Sequence, residues 1–347
     1  MNQPLSFASD YMEGAHPAIL RRLTETNLDK TPGYGLDPCC EAARDKIRAA
    51  CAAPGAEVHF LVGGTQANAT VIDALLPRYQ GVISADTGHI NGHEAGAIEA
   101  SGHKVLALPQ TDGKITAAQI EALLAAWQGD ANHDHTVMPG MVYLSHPTEY
   151  GTLYSRRELA DISAVCRAHG IPLYLDGARL AYALACPAND LSLPDLAALC
   201  DVFYIGGTKC GALFGEAVVI PQAGRIPHFF TLIKQHGALL AKGRILGLQF
   251  DVLFTGGLYE TIGQPAIRAA DRLREALPRC GFPLCFGSPT NQVFCIAENG
   301  RMARLAEEVD FGFWAQYDEQ HTVIRFAPSW AVTEAEVEAL CRLLERV

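Results

Sequence analysis

The sequence predicts an α/β fold, a sheet covered by helices, followed by a smaller α+β tail. From about Glu57 to Pro221, short apolar runs bounded by Gly and Pro alternate with longer amphipathic runs, which is the βαβα rhythm of such a sheet. After Pro221 the pattern turns helix-rich through about Ala276, and two further strand-like runs and a helix close the chain. With 347 residues, 49% hydrophobic and only 19% charged, the chain has the apolar surface for a sizeable core.

In chain order, the strand candidates of the first part are VHFLVG, GVISA, HKVLALP, GMVYLSH, IPLYLD, DVFYIGG and EAVVIP. Between them, Thr116 to Trp127 and Ser155 to His169 read as helices. They open on the capping boxes Thr116-x-x-Gln119 and Ser155-x-x-Glu158, and Gly170 can stop the second. The tail carries the strands NQVFCIA and TVIRFAP and a last helix capped by Thr333-x-x-Glu336. The Gly256-Gly257 pair marks a domain change between Leu253 and Leu258, although a break inside a long connecting helix would look the same. There is no internal repeat and no low-complexity segment.

A net charge of -11, from 27 Lys+Arg against 38 Asp+Glu, argues against a general nucleic-acid or anionic-membrane binder. No window approaches the roughly 18 uninterrupted apolar residues of a membrane span, and MNQPLSFASDYMEG lacks a signal-peptide layout. Eleven cysteines without a CxxC pair read as reduced, mostly buried small hydrophobes. Together these features point to a cytoplasmic protein.

Three local features carry chemistry. Gly63-Gly64-Thr65-Gln66-Ala67-Asn68 follows a strand and opens a helical run, so small residues let backbone N–H groups approach an anion, of which phosphate is the natural one. Taken alone, it is equally an ordinary turn capped by Thr65, and it matches neither GxGxxG nor a Walker loop. Asp176 ends the apolar strand IPLYLD, where open α/β sheets present functional groups, though a lone Asp there is often only a cap. Lys209 lies in Gly206-Gly207-Thr208-Lys209-Cys210-Gly211 after another strand, where a solvated loop lysine is the plain alternative. The three together meet the needs of pyridoxal phosphate: a phosphate cradle, a carboxylate to keep the pyridine nitrogen protonated, and a lysine for the Schiff base. Cationic or apolar neighbours would lower the pKa of Lys209 and free its amine to attack.

Beyond these, FASD (Phe7–Asp10), YGLDP (Tyr34–Pro38), GHINGHEAGA (Gly88–Ala97), TEYG (Thr148–Gly151), LDGARL (Leu175–Leu180), GGTKCG (Gly206–Gly211), KQHGALLAKG (Lys234–Gly243) and IRFAPSW (Ile324–Trp330) follow in order along nearly the whole chain. In these motifs the sequence resembles the fold-type I pyridoxal-phosphate enzymes, and among them the low-specificity L-threonine aldolases of the β-eliminating lyase group. DGAR followed by GGTK is the most specific element. The resemblance implies a mainly parallel sheet with helices on both faces plus a smaller C-terminal α+β domain. Its divisions would be an N-terminal arm over 1–20, a large cofactor domain over 21–253 and a small domain over 254–347.

The resemblance also implies roles. Lys209 would be the Schiff-base lysine, Asp176 would face the pyridine nitrogen, and Gly64, Thr65 and Thr208 would surround the phosphate. His89 would stack on the cofactor ring. Arg179 and Arg325 would grip the substrate carboxylate, with Ser9 beside them; a planar guanidinium fork suits that group. His135 would lie near the substrate β-hydroxyl, and Lys242 would reach a neighbouring subunit's site, making the active unit a dimer within a tetramer. The implied reaction is retro-aldol cleavage of an L-β-hydroxy-α-amino acid, such as L-threonine or L-allo-threonine, to glycine and an aldehyde. The proton acceptor stays open among His135, His89 and a bound water.

The same residues admit other readings. His89, His93 and Glu94, and His133 to His135, superficially resemble metal ligands, but neither matches HExxH, and Asn91-Gly92 is expected to break the helix that would put His89 and His93 on one face. No metal is expected, and His133 reads as a solvated loop residue. Arg325 could instead form a domain-interface ion pair, and Tyr34 could pack between subunits or touch the cofactor. Leu36 departs from the family's usual YGDDP. The rival functions are a β-eliminating lyase or aminotransferase on the same scaffold, and a catalytically silent binding protein.

Overall fold

The computed structural model describes residues 5–347. After the two-residue strand β1 (Leu5–Ser6), the strands β2 (Glu57–Leu61), β3 (Gln80–Ala85), β4 (Val105–Leu108), β5 (Met138–Ser145), β6 (Leu173–Asp176), β7 (Val202–Gly206) and β8 (Glu216–Ile220) form one sheet in the order β2-β8-β7-β6-β5-β3-β4. The pairs β3–β4, β3–β5, β5–β6 and β6–β7 are parallel, and β8 runs antiparallel to both its neighbours. The reversal has a simple cause: the link from Gly206 to Glu216 holds no helix and is shorter than the dozen or so residues a parallel crossover needs. A second, antiparallel sheet of order β11-β12-β9 comprises β9 (Val293–Glu298), β11 (Gly312–Gln316) and β12 (His321–Phe326). Between β9 and β11, β10 (Val309–Asp310) pairs in parallel with β1, so the chain's beginning is stitched to its last third.

Each strand candidate read from the sequence overlaps one of these strands, with ends displaced by up to two residues. The capping boxes at Thr116, Ser155 and Thr333 are all formed, each worth about 1 kcal/mol, and Gly170 ends the helix Arg156–His169 at φ 67°. The central strands are buried on both faces. Val142, Leu144, Leu173, Leu175, Phe203 and Ile205 face one core, while Met141, Tyr143, Tyr174, Val202 and Tyr204 face another. A third core, with Leu273, Phe282, Val293, Phe326 and Leu340, lies under the smaller sheet. Each such side chain contributes about 1.5–3 kcal/mol when fully buried. All eleven cysteines are free thiols, seven of them buried. Among the described residues no helix is long and apolar enough to cross a membrane.

Two loops follow the parallel strands β6 and β7, and they pack against each other. A Cβ on Gly206 would lie 2.5 Å from the Ala178 carbonyl oxygen, so only glycine permits this approach. The DGAR and GGTK segments thereby meet at the carboxyl edge of the sheet, where open α/β folds bind ligands.

Candidate active site

At that edge a cavity of about 440 Å³ opens, and Asp176, Lys209, Thr208, Gly64, Thr65, Arg179 and His89 all line it. One end is formed by the helix Gly64–Leu75. Its cap, Gly63, is extended at φ -164° and offers no side-chain acceptor, so the first N–H groups of the helix have no side-chain cap. Space is tight here too, since a Cβ on Gly64 would lie 3.0 Å from the Tyr204 hydroxyl.

Asp176 forms part of the wall, 5% exposed. Its Oδ2 accepts hydrogen bonds from the Tyr143 hydroxyl at 2.6 Å and Asn68 Nδ2 at 3.1 Å; its Oδ1 accepts from the Tyr204 hydroxyl and the Ala178 N–H. Burial by itself would raise the carboxyl pKa. The positive field of His89 and the donors from Tyr143, Tyr204 and Ala178 outweigh it and hold Asp176 below the usual carboxylate range. It is therefore a buried anion at neutral pH.

Lys209 is pulled the other way. Burial, then the adjacent Arg179 cation, lowers its ammonium pKa, while Asp10, Asp176 and Glu216 oppose the shift. Its Nζ lies 6.0 Å from the Tyr11 ring centroid, and its carbonyl accepts from the Tyr182 hydroxyl.

Arg179 presents Nε and Nη2 to both oxygens of the fully buried Asp10, at 2.7 and 3.0 Å, and Asn291 Nδ2 also donates to Asp10. One edge of this guanidinium is thus already occupied, a partner absent from the sequence reading. Arg325 differs. Its Nη1 and Nη2 donate to Gln292 Oε1 and the Ala8 carbonyl, its Nε is buried without a partner, and among the described residues no carboxylate pairs with it. Burial, then Arg179, lowers its pKa to about 10. The Ser9 hydroxyl close in sequence is likewise buried and unpartnered. The ion-pair alternative for Arg325 therefore finds no acid.

The histidines need two corrections. Asn91-Gly92 does not separate His89 from His93: His89–Gly92 forms a single helical turn, the His93 N–H donates to the His89 carbonyl, and the rings lie 5.7 Å apart with both lining the cavity. His135, by contrast, sits on an exposed 3-10 turn (His133–His135) just before β5, whereas the cavity is built from the other end of that strand, at Ser145. Its spacing to Glu149 spans the strand's whole length, about 3.3 Å per residue, so it does not reach the site within this chain. His89 is oriented by Glu94, whose Oε1 lies 2.8 Å from His89 Nδ1 and accepts from Asn68 Nδ2. Lys242 is exposed and outside the cavity, Leu36 is exposed, and Tyr34 packs under Lys234, 4.6 Å from the ring centroid.

Two further carboxyls line the cavity. Glu149 Oε1 accepts from the His89 N–H and the Ser145 hydroxyl, and burial raises its pKa. Glu216, the first residue of β8, accepts from Thr208 Oγ1 at 2.8 Å and the Gly207 N–H at 3.0 Å; burial pushes it up to about 8. The sequence signal for Glu216 was a charged residue heading an otherwise apolar strand.

The model of the beta-eliminating lyase family matches residues 6–307. The chain belongs to that family. It is 34% identical to a low specificity L-threonine aldolase of Pseudomonas aeruginosa, over 83% of each chain. It is also 30% identical to one from a Pseudomonas species, over 98% of this chain and 96% of the relative. The solved structure of a Leishmania major threonine aldolase superposes with a TM-score of 0.95 at 43% identity, covering 99% of both chains. An aspartate aminotransferase of Thermus thermophilus shares the fold alone, at TM-score 0.71 and 14% identity. This beta-eliminating lyase family member therefore has the fold of the type I pyridoxal-phosphate enzymes, and its membership implies dependence on that cofactor.

Proposed function

We propose that the protein binds pyridoxal 5'-phosphate in this cavity and cleaves L-threonine, L-allo-threonine and related L-β-hydroxy-α-amino acids to glycine and an aldehyde. The observation that carries it is a single cavity that combines a helix N-terminus without a side-chain cap, the buried anion Asp176 and the pKa-lowered Lys209. This donor set fits the cofactor. The first N–H groups of Gly64–Leu75, with Thr65 and Thr208, would hold its phosphate; Asp176 would keep a proton on its pyridine nitrogen; Lys209 would attach it. When bound, the cofactor supplies an electron sink for the Cα–Cβ bond pair.

The remaining work belongs to side chains. Arg325, with its unpartnered Nε, and the free edge of Arg179 would hold the substrate carboxylate, and Ser9 would add a hydroxyl. That grip fixes which bond at Cα stands perpendicular to the cofactor plane. His89, held by Glu94, suits a stacking role. His93 suits acceptance of the β-hydroxyl proton: burial, then His89 and Arg325, lowers its pKa, so it is neutral and basic near pH 7. A cytoplasmic setting and a homo-oligomer, a dimer within a tetramer with Lys242 of one subunit reaching the next, belong to the same reading. Its support is the set of unbridged thiols and the exposure of Lys242.

The visible spectrum of the purified protein tests this reading. A yellow band that borohydride abolishes, and glycine with acetaldehyde released from L-threonine, is the expected result. A colourless protein that stays so after added cofactor overturns it, and release of a keto acid instead of glycine reassigns the reaction.

A further inference from the structure

Glu216 poses a problem of charge. Glu216 pairs in register with Leu61 across the β2–β8 ladder, two residues before the Gly63–Thr65 turn, and it lines the same cavity as that turn. A carboxylate there would repel a phosphate. It would also consume the hydroxyl hydrogen of Thr208, which donates to Glu216 Oε1, while Thr208 Oγ1 accepts from the Gly215 N–H at 3.0 Å. The loop cannot easily rearrange, because the buried Gln249 clamps it by accepting from the Leu213 N–H and donating to the Phe214 carbonyl.

We infer that Glu216 is a proton-operated gate on the phosphate end of the cavity, neutral when a phosphate monoester is bound and excluding it when ionised. The inference rests on the cofactor reading above. Hydrogen counting supports it. Once Glu216 takes a proton from solvent, its O–H donates to Thr208 Oγ1, and Gly215 N–H fills the second acceptor position. The Thr208 hydroxyl hydrogen is then released to point at the phosphate, and the Gly207 N–H still satisfies the other Glu216 oxygen. Ionisation reverses the relay and adds a like charge. Burial favours the neutral form, against the pull of Lys209 and in concert with the Asp176 anion. The other titratable groups around Glu216 are Cys210, Tyr174, Tyr204 and Tyr259, all shifted upward and neutral in the range at issue.

The test is binding of 4-deoxypyridoxine 5'-phosphate, which has no aldehyde and cannot attach to Lys209, to the apoprotein between pH 7 and 9.5. Its phosphate is already a dianion there, with a second pKa near about 6. Wild-type affinity is expected to fall relative to Glu216→Gln by about tenfold per pH unit above 8, since Gln keeps a donor for Thr208 and cannot ionise. Calorimetry in buffers of different ionisation enthalpy should show that the unsubstituted protein takes up close to one proton more per analogue bound at pH 9 than Glu216→Gln does, any uptake at the ring nitrogen being common to both. A constant wild-type to Glu216→Gln affinity ratio across this range, or equal proton uptake by the two proteins, overturns the gate. Failure of the wild type to bind the analogue at any pH would instead overturn the cofactor reading itself.

Discussion

The wall of the cavity at Asp176 and its proposed phosphate end at Glu216 each carry a buried carboxyl, and the two are driven in opposite directions. Asp176 accepts four hydrogen bonds, three from side chains, under the field of His89; Glu216 accepts two, and Asp176 itself disfavours its charge. Burial acts alike on both. The difference shows that donor number and neighbouring charge decide which buried acid stays ionised, and that one cavity can hold an obligate anion beside a titratable one.

The largest effect is expected at the anion. Asp176→Asn should lower kcat for threonine cleavage by about 10³-fold while the absorption band of bound cofactor persists; a near-normal kcat would mean that the charge at this wall is not used. Stripping donors is the next step. Tyr143→Phe with Tyr204→Phe removes two hydrogen bonds to the charged form, each worth about 1.5–3 kcal/mol. The Asp176 pKa then rises, so the acidic limb of the kcat pH profile should move to higher pH, and an unmoved limb would remove the tyrosines from the account.

The histidines sharpen the contrast between cavity and periphery. His93→Asn is expected to reduce kcat about 10²-fold, whereas His135→Ala leaves kcat and KM unchanged. The reverse outcome would reinstate the remote turn, contributed by another subunit. The smallest effect is on stability. Glu216 has a folded pKa of about 8 against an ordinary 4.5, so ionisation on unfolding destabilises the apoprotein increasingly as pH rises between those values, with no further change above. Glu216→Gln should therefore gain melting temperature over wild type across that window, by about 1–2 °C for each kcal/mol recovered, and hold a constant margin beyond pH 8. An equal melting-temperature margin between wild type and Glu216→Gln at pH 5 and pH 8 would show that Glu216 stays charged when folded.

Much of this was legible in the chain because the signals are local. Capping boxes act over three residues, and alternating apolar runs specify strands without reference to partners, so Thr116, Ser155, Thr333 and the strand runs read correctly. Lys209, Asp176 and the Gly63–Thr65 turn were legible because a strand end followed by small residues is itself a local pattern. His135 misled because spacing along a strand carries no information about which end faces the cavity. His93 was passed over because Asn91-Gly92 reads as a breaker, yet one helical turn needs only a single hydrogen bond to bring residues four apart together.

By itself, the sequence determined the α/β architecture and the smaller α+β tail, and it singled out three candidate centres that line one cavity, since periodicity, caps and glycines act within a few residues of themselves. Only the tertiary structure decided the charges. Asp10 sits 169 residues from the arginine it pairs with, Tyr143 is 33 from Asp176, and Thr208 meets Glu216 through a loop that Gln249 clamps from a distant helix. A carboxyl's ionisation depends on every donor and charge within a few ångströms, and chain folding alone determines which residues those are.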